Sequence, residues 1–432
     1  MIQPKSFILS ALFLLCSLNI FAQKPKKKQD DNRTVKNTLI YDNINYCSYI
    51  KSVQLNHVDK EAVFPIINLQ NQEFLKISFD DLRADNRALY YSVEHCNADW
   101  SPSRLPLLDA LIGYEEDRIF EIQSSKNTLT PYTHYSFVFP NENSRPKVAG
   151  NFLLKVYEDA DKARLLFSRR VYVLNASVNL DVEILPSPIS SQKSKNQKLN
   201  ITVNSQQEII NPAVNMQIHA FQNQRIDNYK ILKDISQISP QKITYNQPST
   251  LDFKGNNEFR TLDLRSMRST SSAIQNIIRD TVINVQLYND DKVSNEKYEF
   301  KPDENGRFFI RNIDFDNAEL ESEYISAHFS LKDSANIKGD IYLVGAFNNF
   351  NTTIENKLKY NSESGEWETK HLLKQGIYNY EYIRKNGTEI NTDLYAGSFF
   401  ETENEYQILV YYRKPGTYWD EIIGFKNINT IK

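Results

Sequence analysis

The chain has 432 residues, a net charge of −3, 40% hydrophobic residues and 24% charged residues. That is ordinary globular usage, with room for two to four domains at roughly 100 to 200 residues each, and it excludes disorder along most of the chain. No basic excess exists to attract nucleic acid, and 12 Gly against 25 Tyr and 24 Phe favours pleated sheet over phosphate-cradling loops.

Residues 1–22 read as an export signal. Lys5 supplies the positive start and Phe7 to Ile20 the apolar stretch. Asn19-Ile20-Phe21-Ala22 ends in a small residue suited to cleavage between Ala22 and Gln23. The apolar run is shorter than the roughly 20 residues a membrane span needs. Leu15, before Cys16, stands where a lipid-attachment motif has a small residue. Residues 23–37, with the Lys24 to Lys28 cluster, are charged and aperiodic, a flexible leader. With Cys16 removed, Cys47 and Cys96 remain, as one disulfide or as two buried thiols.

From residue 38 to 175 short runs alternate with period two. They include Tyr49 to Leu55, Phe74 to Phe79, Leu89 to Glu94, Tyr135 to Phe139, Phe152 to Tyr157 and Arg169 to Leu174. Even strands at short spacing without helical periodicity predict an antiparallel β-sandwich, with one helical turn between Ser103 and Gly113. Pro186 to Asn196 is a polar Pro/Ser-rich loop. A second β region, 176–320, carries Leu199 to Val203, Val214 to Phe221 and Val282 to Tyr288. Within it Met267 to Arg279 is Ser-rich and reads as a short helix or a loop. Asn289-Asp290-Asp291 reads as a solvated hairpin turn, and Lys301 to Gly306 as a turn. A third unit, 321–432, has strands at Tyr324 to Phe329, Ile341 to Gly345, Trp367 to Leu372, Tyr378 to Ile383 and Tyr406 to Tyr412, with Asn386-Gly387 as a hairpin turn. The expected fold is all-β, tandem antiparallel sandwiches of immunoglobulin or early-set type.

Arithmetic rules out several local motifs, leaving to catalysis only a hydrolase whose site is assembled from distant residues. No two glycines lie two, four or five apart, so neither a dinucleotide fingerprint, nor a GxSxG elbow, nor a Walker loop exists. The six histidines lie at least 38 residues apart, so no local zinc spacing exists. His95 beside Cys96 cannot form a dyad by adjacency, because neighbours on a strand face opposite ways. The sequence therefore predicts no catalytic, cofactor-binding or metal-binding residue, and no nucleic-acid or small-molecule partner.

Two aromatic constellations remain. Gly345-Ala346-Phe347-Asn348-Asn349-Phe350-Asn351, with Gly365-Glu366-Trp367 and Gly376 to Tyr382, resembles the glycogen-binding early-set modules of starch-active enzymes. Those modules stack sugar on a Trp where this chain has Phe350, and on a second Trp where it has Thr388-Glu389-Ile390. This resemblance supplies the alternative reading, a carbohydrate-binding or outer-membrane accessory module.

The other constellation is His95-Cys96-Asn97-Ala98-Asp99-Trp100, Pro131 to Phe137 with Tyr132, His134 and Tyr135, Phe139-Pro140-Asn141-Glu142-Asn143, Gly150 to Tyr157, and Thr402 to Tyr406 running on to Tyr411, Tyr412 and Arg413. In this order, over residues 38 to 425, it resembles the plug proteins of the type IX secretion system of Gram-negative bacteria. The resemblance implies a non-catalytic periplasmic protein at the inner face of the outer membrane. Such a protein binds and closes the periplasmic end of a large translocon barrel. The motif residues are then structural or partner-facing, and the looser Pro415 to Asp420 stretch leaves the last turn open.

If the amino-terminal reading holds, mass spectrometry of the periplasmic fraction will show a mature chain starting at Gln23; an intact Met1 on cytosolic protein would refute it.

Overall fold

The computed structural model describes residues 32–268 and 271–430. The export segment, the Ala22/Gln23 cleavage site and the leader as far as residue 31 lie outside the described residues. The chain divides at Arg33/Thr34, and everything below concerns the unit from Thr34 on.

Strands dominate, and the alternation seen in the sequence sets their faces. Leu75–Asp81 pairs with Thr133–Phe139 in the register Leu75↔Phe139, Ile77↔Phe137, Phe79↔Tyr135. All six of these side chains point inward and are buried, while Val138 between them is exposed. With Ile50–His57 and Glu121–Ser124 they form one wall. The facing wall is Leu165–Leu174, Gly150–Glu158, Leu89–Cys96 and Glu116–Arg118. Rings interlock across the gap: Tyr91 stacks on Phe137 at 4.3 Å, and Phe79 meets Phe167 edge-on at 4.9 Å.

The facing wall does not stop there. Leu174 pairs in parallel with Ile422. The sheet continues through Glu421–Asn429, Glu405–Tyr412, Met216–Gln222 and Lys230–Leu232, ten strands in all. This second half is covered by another sheet, Val178–Pro186, Asn196–Ser205, Lys242–Tyr245 and Gln237–Ser239, with Asp252–Lys254 beside Asn196–Ser205. Leu199, Ile201, Val203, Ile218, Tyr245, Ile408 and Val410 form its core.

A third sandwich stands between Lys254 and Glu405. Its central strand Gly376–Asn386 is flanked by Arg260–Asp263 and Phe308–Ile310 at one end, and by Asp340–Val344 and Glu389–Asn391 at the other. Ile274–Arg279, Ile283–Leu287, Tyr324–Leu331, Glu366–Lys374 and Lys359–Asn361 make the facing sheet. The segments 38–175, 176–320 and 321–432 thus interleave. Strands from 260 to 310 join the third sandwich, and the last hairpin returns to the second. The outgoing and returning chains are zipped together: Phe399 N–H donates to Asn256 O at 2.9 Å, and Asn404 Nδ2 to Gly255 O at 2.8 Å. A Cβ on Gly255 would lie 1.9 Å from Phe399 O, so only glycine permits this approach.

Local expectations meet the structure unevenly. Leu107–Ala110 is the helical turn foreseen between Ser103 and Gly113. Ile274–Arg279, read as helix or loop, is a strand, because pairing with Ile283–Leu287 and burial of Ile274 outweigh its polar composition. Asp290 is not a solvated turn residue. It pairs with Arg260 at 2.8 Å and accepts from Tyr380 and Tyr382 at 3.0 and 2.8 Å, which satisfies two buried phenols. Cys47 and Cys96 are free, buried thiols; they sit in different apolar clusters, so the disulfide left open by the sequence is not formed.

Several buried groups tie stability to pH. Burial holds the imidazoles of His219 and His371 neutral, pushing them down to about 3 and about 4. Burial opposes ionisation of Glu158. Thr34 and Arg87, donating to it at 2.6 Å each, prevail and bring it to about 2. All three are depressed relative to the unfolded chain, so the unfolded state binds more protons and stability falls as pH falls. Urea unfolding should therefore lose stability below about pH 6.5 through the histidines, and about 3 kcal/mol more below about pH 4.5 through Glu158. Replacing both histidines by Phe should shrink the first limb to the share carried by His95 and His328, also depressed by burial, and leave the second.

Candidate functional site

The two ends of the motif series converge on the seam of the ten-stranded sheet. Leu89–Cys96 ends there in a tight turn: Asn97 N–H donates to Ser101 O, and Trp100 N–H to Asn97 O, at 2.9 Å each. Trp100 adopts φ +65°, a left-handed conformation costly for a bulky residue. That turns its indole inward, where it is 4% exposed, edge-on to Tyr172 at 5.5 Å and capped by the Arg170 guanidinium at 4.6 Å.

The carboxy-terminal motif closes over this turn. Arg413 grips Asp420 through two bonds of 2.9 Å, and Asp420 Oδ2 accepts from Ala98 N–H at 3.0 Å. Tyr411 donates its hydroxyl to Asn151 Oδ1 at 2.7 Å, while Asn151 Nδ2 donates to Asn97 O at 2.9 Å. Gly150 has φ +137°, and a Cβ there would come within 2.6 Å of His95 Nε2 and 2.8 Å of Asp420 O. His95 is buried and held below its ordinary range by that burial; Nδ1 faces Ser103 Oγ at 2.8 Å. Beside this network opens a cleft of about 570 Å³, lined by Asn97, Asp99, Met216, His219, Lys233 and Arg413 among others. Its walls offer hydrogen bonds and mixed charge. Among the described residues, no group of three or more His, Cys, Asp or Glu is placed to hold a metal ion.

The remaining motif residues lie elsewhere. Tyr132 donates to Glu319 O and Ser322 O at 3.0 and 3.1 Å, with Lys374 Nζ 4.1 Å above its ring. His134 Nδ1 stands 2.6 Å from Asp80, which also accepts from Lys374 Nζ at 2.6 Å and Tyr324 OH at 2.7 Å. Burial alone would raise the Asp80 carboxyl; Lys374 and His134 hold it below the usual carboxylate range. These contacts bolt the first sandwich to the third. Tyr135 is core, stacked on Phe79. Asn141 Oδ1 accepts from the Asn143 and Ser144 N–H groups at 2.9 Å each, its Nδ2 donates to Tyr91, and Asn143 Nδ2 donates to Asp117, fixing the turn after Pro140. Tyr406 and Tyr412 are core of the second sandwich, Tyr406 donating to Gln197 Oε1 at 2.6 Å.

Phe350, standing at the sugar-platform position, is 6% exposed. The Arg225 guanidinium covers it at 4.3 Å, and Phe259 meets it edge-on. It offers no open face for a sugar ring. The sequence reading missed Asp80, Lys374 and Tyr324. The one signal was a charge closing an apolar run, Leu372-Leu373-Lys374 and Phe79-Asp80.

The architecture is that of an all-β protein built from sandwiches sharing a sheet. Residues 50–175 match the family model described as type 9 secretion system plug protein 1st domain. The match runs from the first residue of the strand Ile50–His57 to the residue after Leu174, and so takes in the first sandwich. The first sandwich is thus similar to the first domain of the type 9 secretion system plug proteins, which supports that family. A crystal structure of a hypothetical protein from Parabacteroides merdae is similar over 91% of this chain and 100% of that one, at 28% identity and a TM-score of 0.87. No curated protein matches the chain.

Because Trp100 is buried, Trp100→Ala should cost about 3–5 kcal/mol and lower the melting temperature sharply. Unchanged stability with loss of partner binding would make the indole a contact residue.

Proposed function

We propose that the mature protein is a non-catalytic periplasmic plug that binds and seals the periplasmic opening of the type IX secretion translocon in the outer membrane. The observation that carries this is the match of residues 50–175 to the plug first domain. The build of the molecule supports it. A plug must present a fixed shape to a pore, and this chain ties its sandwiches together through a shared sheet, a zipped crossing and buried ion pairs.

A partner surface is also at hand. Within Leu107 to Phe120, on the outer edge of the first sandwich, Leu108, Tyr114 and Phe120 are 79%, 70% and 71% exposed. The strand Glu116–Arg118 there is the last of the ten-stranded sheet. Large apolar groups clustered at a sheet edge mark interaction surfaces. A specific contact buries on the order of 1,200–2,000 Å² in total, so such a patch would supply its apolar centre and leave a polar, releasable rim.

Deleting the gene should make the outer membrane permeable to large antibiotics only in cells that carry the barrel, and the tagged protein should copurify with that barrel. Leu108→Glu with Phe120→Glu should abolish copurification and leave the melting temperature unchanged. No leak on deletion, together with no barrel in the purified complex, would sink the plug reading.

A further inference from the structure

The three sandwiches meet around a cavity of about 160 Å³. Its wall carries three guanidinium groups, Arg169, Arg170 and Arg307, and no acidic residue lines it among the described residues. Two of the three charges are answered nearby: Arg170 stands 3.5 Å from Asp42, and Arg307 is 3.1 Å from Glu405. Arg169 has no carboxylate in direct contact, and Asp42 acts on it only through space. It lies in the middle of Leu165–Leu174, 5% exposed, its guanidinium 5.2 Å from the centre of the Phe167 ring. Its Nη1 donates to Ser168 O at 2.8 Å and Ile44 O at 3.2 Å, and its Nη2 to Asn45 Oδ1 at 2.6 Å. All three acceptors are neutral.

An arginine does not escape burial by losing its proton near neutral pH. A buried cation hydrogen-bonded only to neutral groups carries a desolvation penalty that a counter-ion in direct contact would relieve. The same wall holds one further unmet donor: Tyr172 Oη is buried with no hydrogen-bond partner. The side-chain amides of Gln54 and Asn349 also line the space. A spare donor, a buried guanidinium bonded only to neutral acceptors and a wall without acid make an acceptor-rich anion the fitting partner. The cavity is large enough for several waters, and so for a phosphate or a short carboxylate.

We propose that this cavity binds one small oxyanion, a carboxylate or a phosphate, held by Arg169 at the point where all three sandwiches touch. Bound there, the anion adds its binding free energy to the folded state and strengthens the joint between the sandwiches.

The test is thermal melting of the full mature chain, titrated separately with inorganic phosphate and with acetate at constant ionic strength in chloride. The melting temperature should rise to saturation with at least one of the two. If phosphate saturates at the lower concentration the source is a phosphate group, and if acetate does it is a carboxylate. In Arg169→Gln the affinity should fall at least about tenfold, the size of one charge-assisted hydrogen bond. No saturable rise with either anion, or an equal response in Arg169→Gln, would overturn the proposal. Should Arg169→Gln fail to fold, selenate soaked into crystals of the unaltered protein decides. An anomalous peak within hydrogen-bonding reach of the Arg169 guanidinium supports the site, and its absence there overturns it.

Discussion

One parallel pairing, Leu174 against Ile422, holds the arrangement together. It joins two half-sheets into a single ten-stranded wall, and Asn175 and Ser177 extend it by donating to Ile422 O and Ile423 O at 2.9 Å each. Because the joint is made of backbone hydrogen bonds, the first and second sandwiches have one relative orientation rather than a hinge. The aromatic cluster of Phe64, Trp100, Tyr172, Phe221 and Tyr411 packs over it, and the Arg413–Asp420 fork closes one end. The motif residues at both ends of the chain are the dressing of this joint.

The third sandwich is attached differently, by charge. Asp80 with Lys374, Arg225 with Glu381 and Asp227, and Arg307 with Glu405 all cross from one sandwich to another or stand at a crossing. Such pairs add little net stability compared with well-packed apolar groups, yet removing one partner typically costs about 3–5 kcal/mol because a charge is left buried alone. They act as registration pins, tolerating one docking geometry and penalising the rest.

The sequence disclosed its strands far better than their partners. Alternation in Phe74 to Phe79 and Tyr135 to Phe139 announced both the strands and their inward faces, since period two is a local property. Nothing local announces that Met216–Gln222 pairs with Glu405–Tyr412, so the third sandwich was invisible as an insertion. Met267 to Arg279 read as a short helix or a loop because the strand Ile274–Arg279 follows a Ser-rich stretch and shows only when its neighbour is known. Asp290 looked solvated because its two phenol donors come from a strand some ninety positions on. The site was legible as a set of aromatic motifs, and the Asn97–Asn151–Tyr411 network they build was not. Arg169 drew no attention at all, because a charge in a strand ordinarily faces water.

The returning hairpin has a consequence for biogenesis. Translation delivers the first sandwich complete, then half of the second, then the whole of the third, and only in the final residues the strands that cover Ile218 and Ala220 and dock beside Leu174. Until then an apolar sheet edge stays open, the state most prone to wrong pairing. A chain cut short before residue 405 therefore loses the union of two modules rather than a dispensable tail. The architecture makes completeness of synthesis a condition of assembly, a form of proofreading written into strand order.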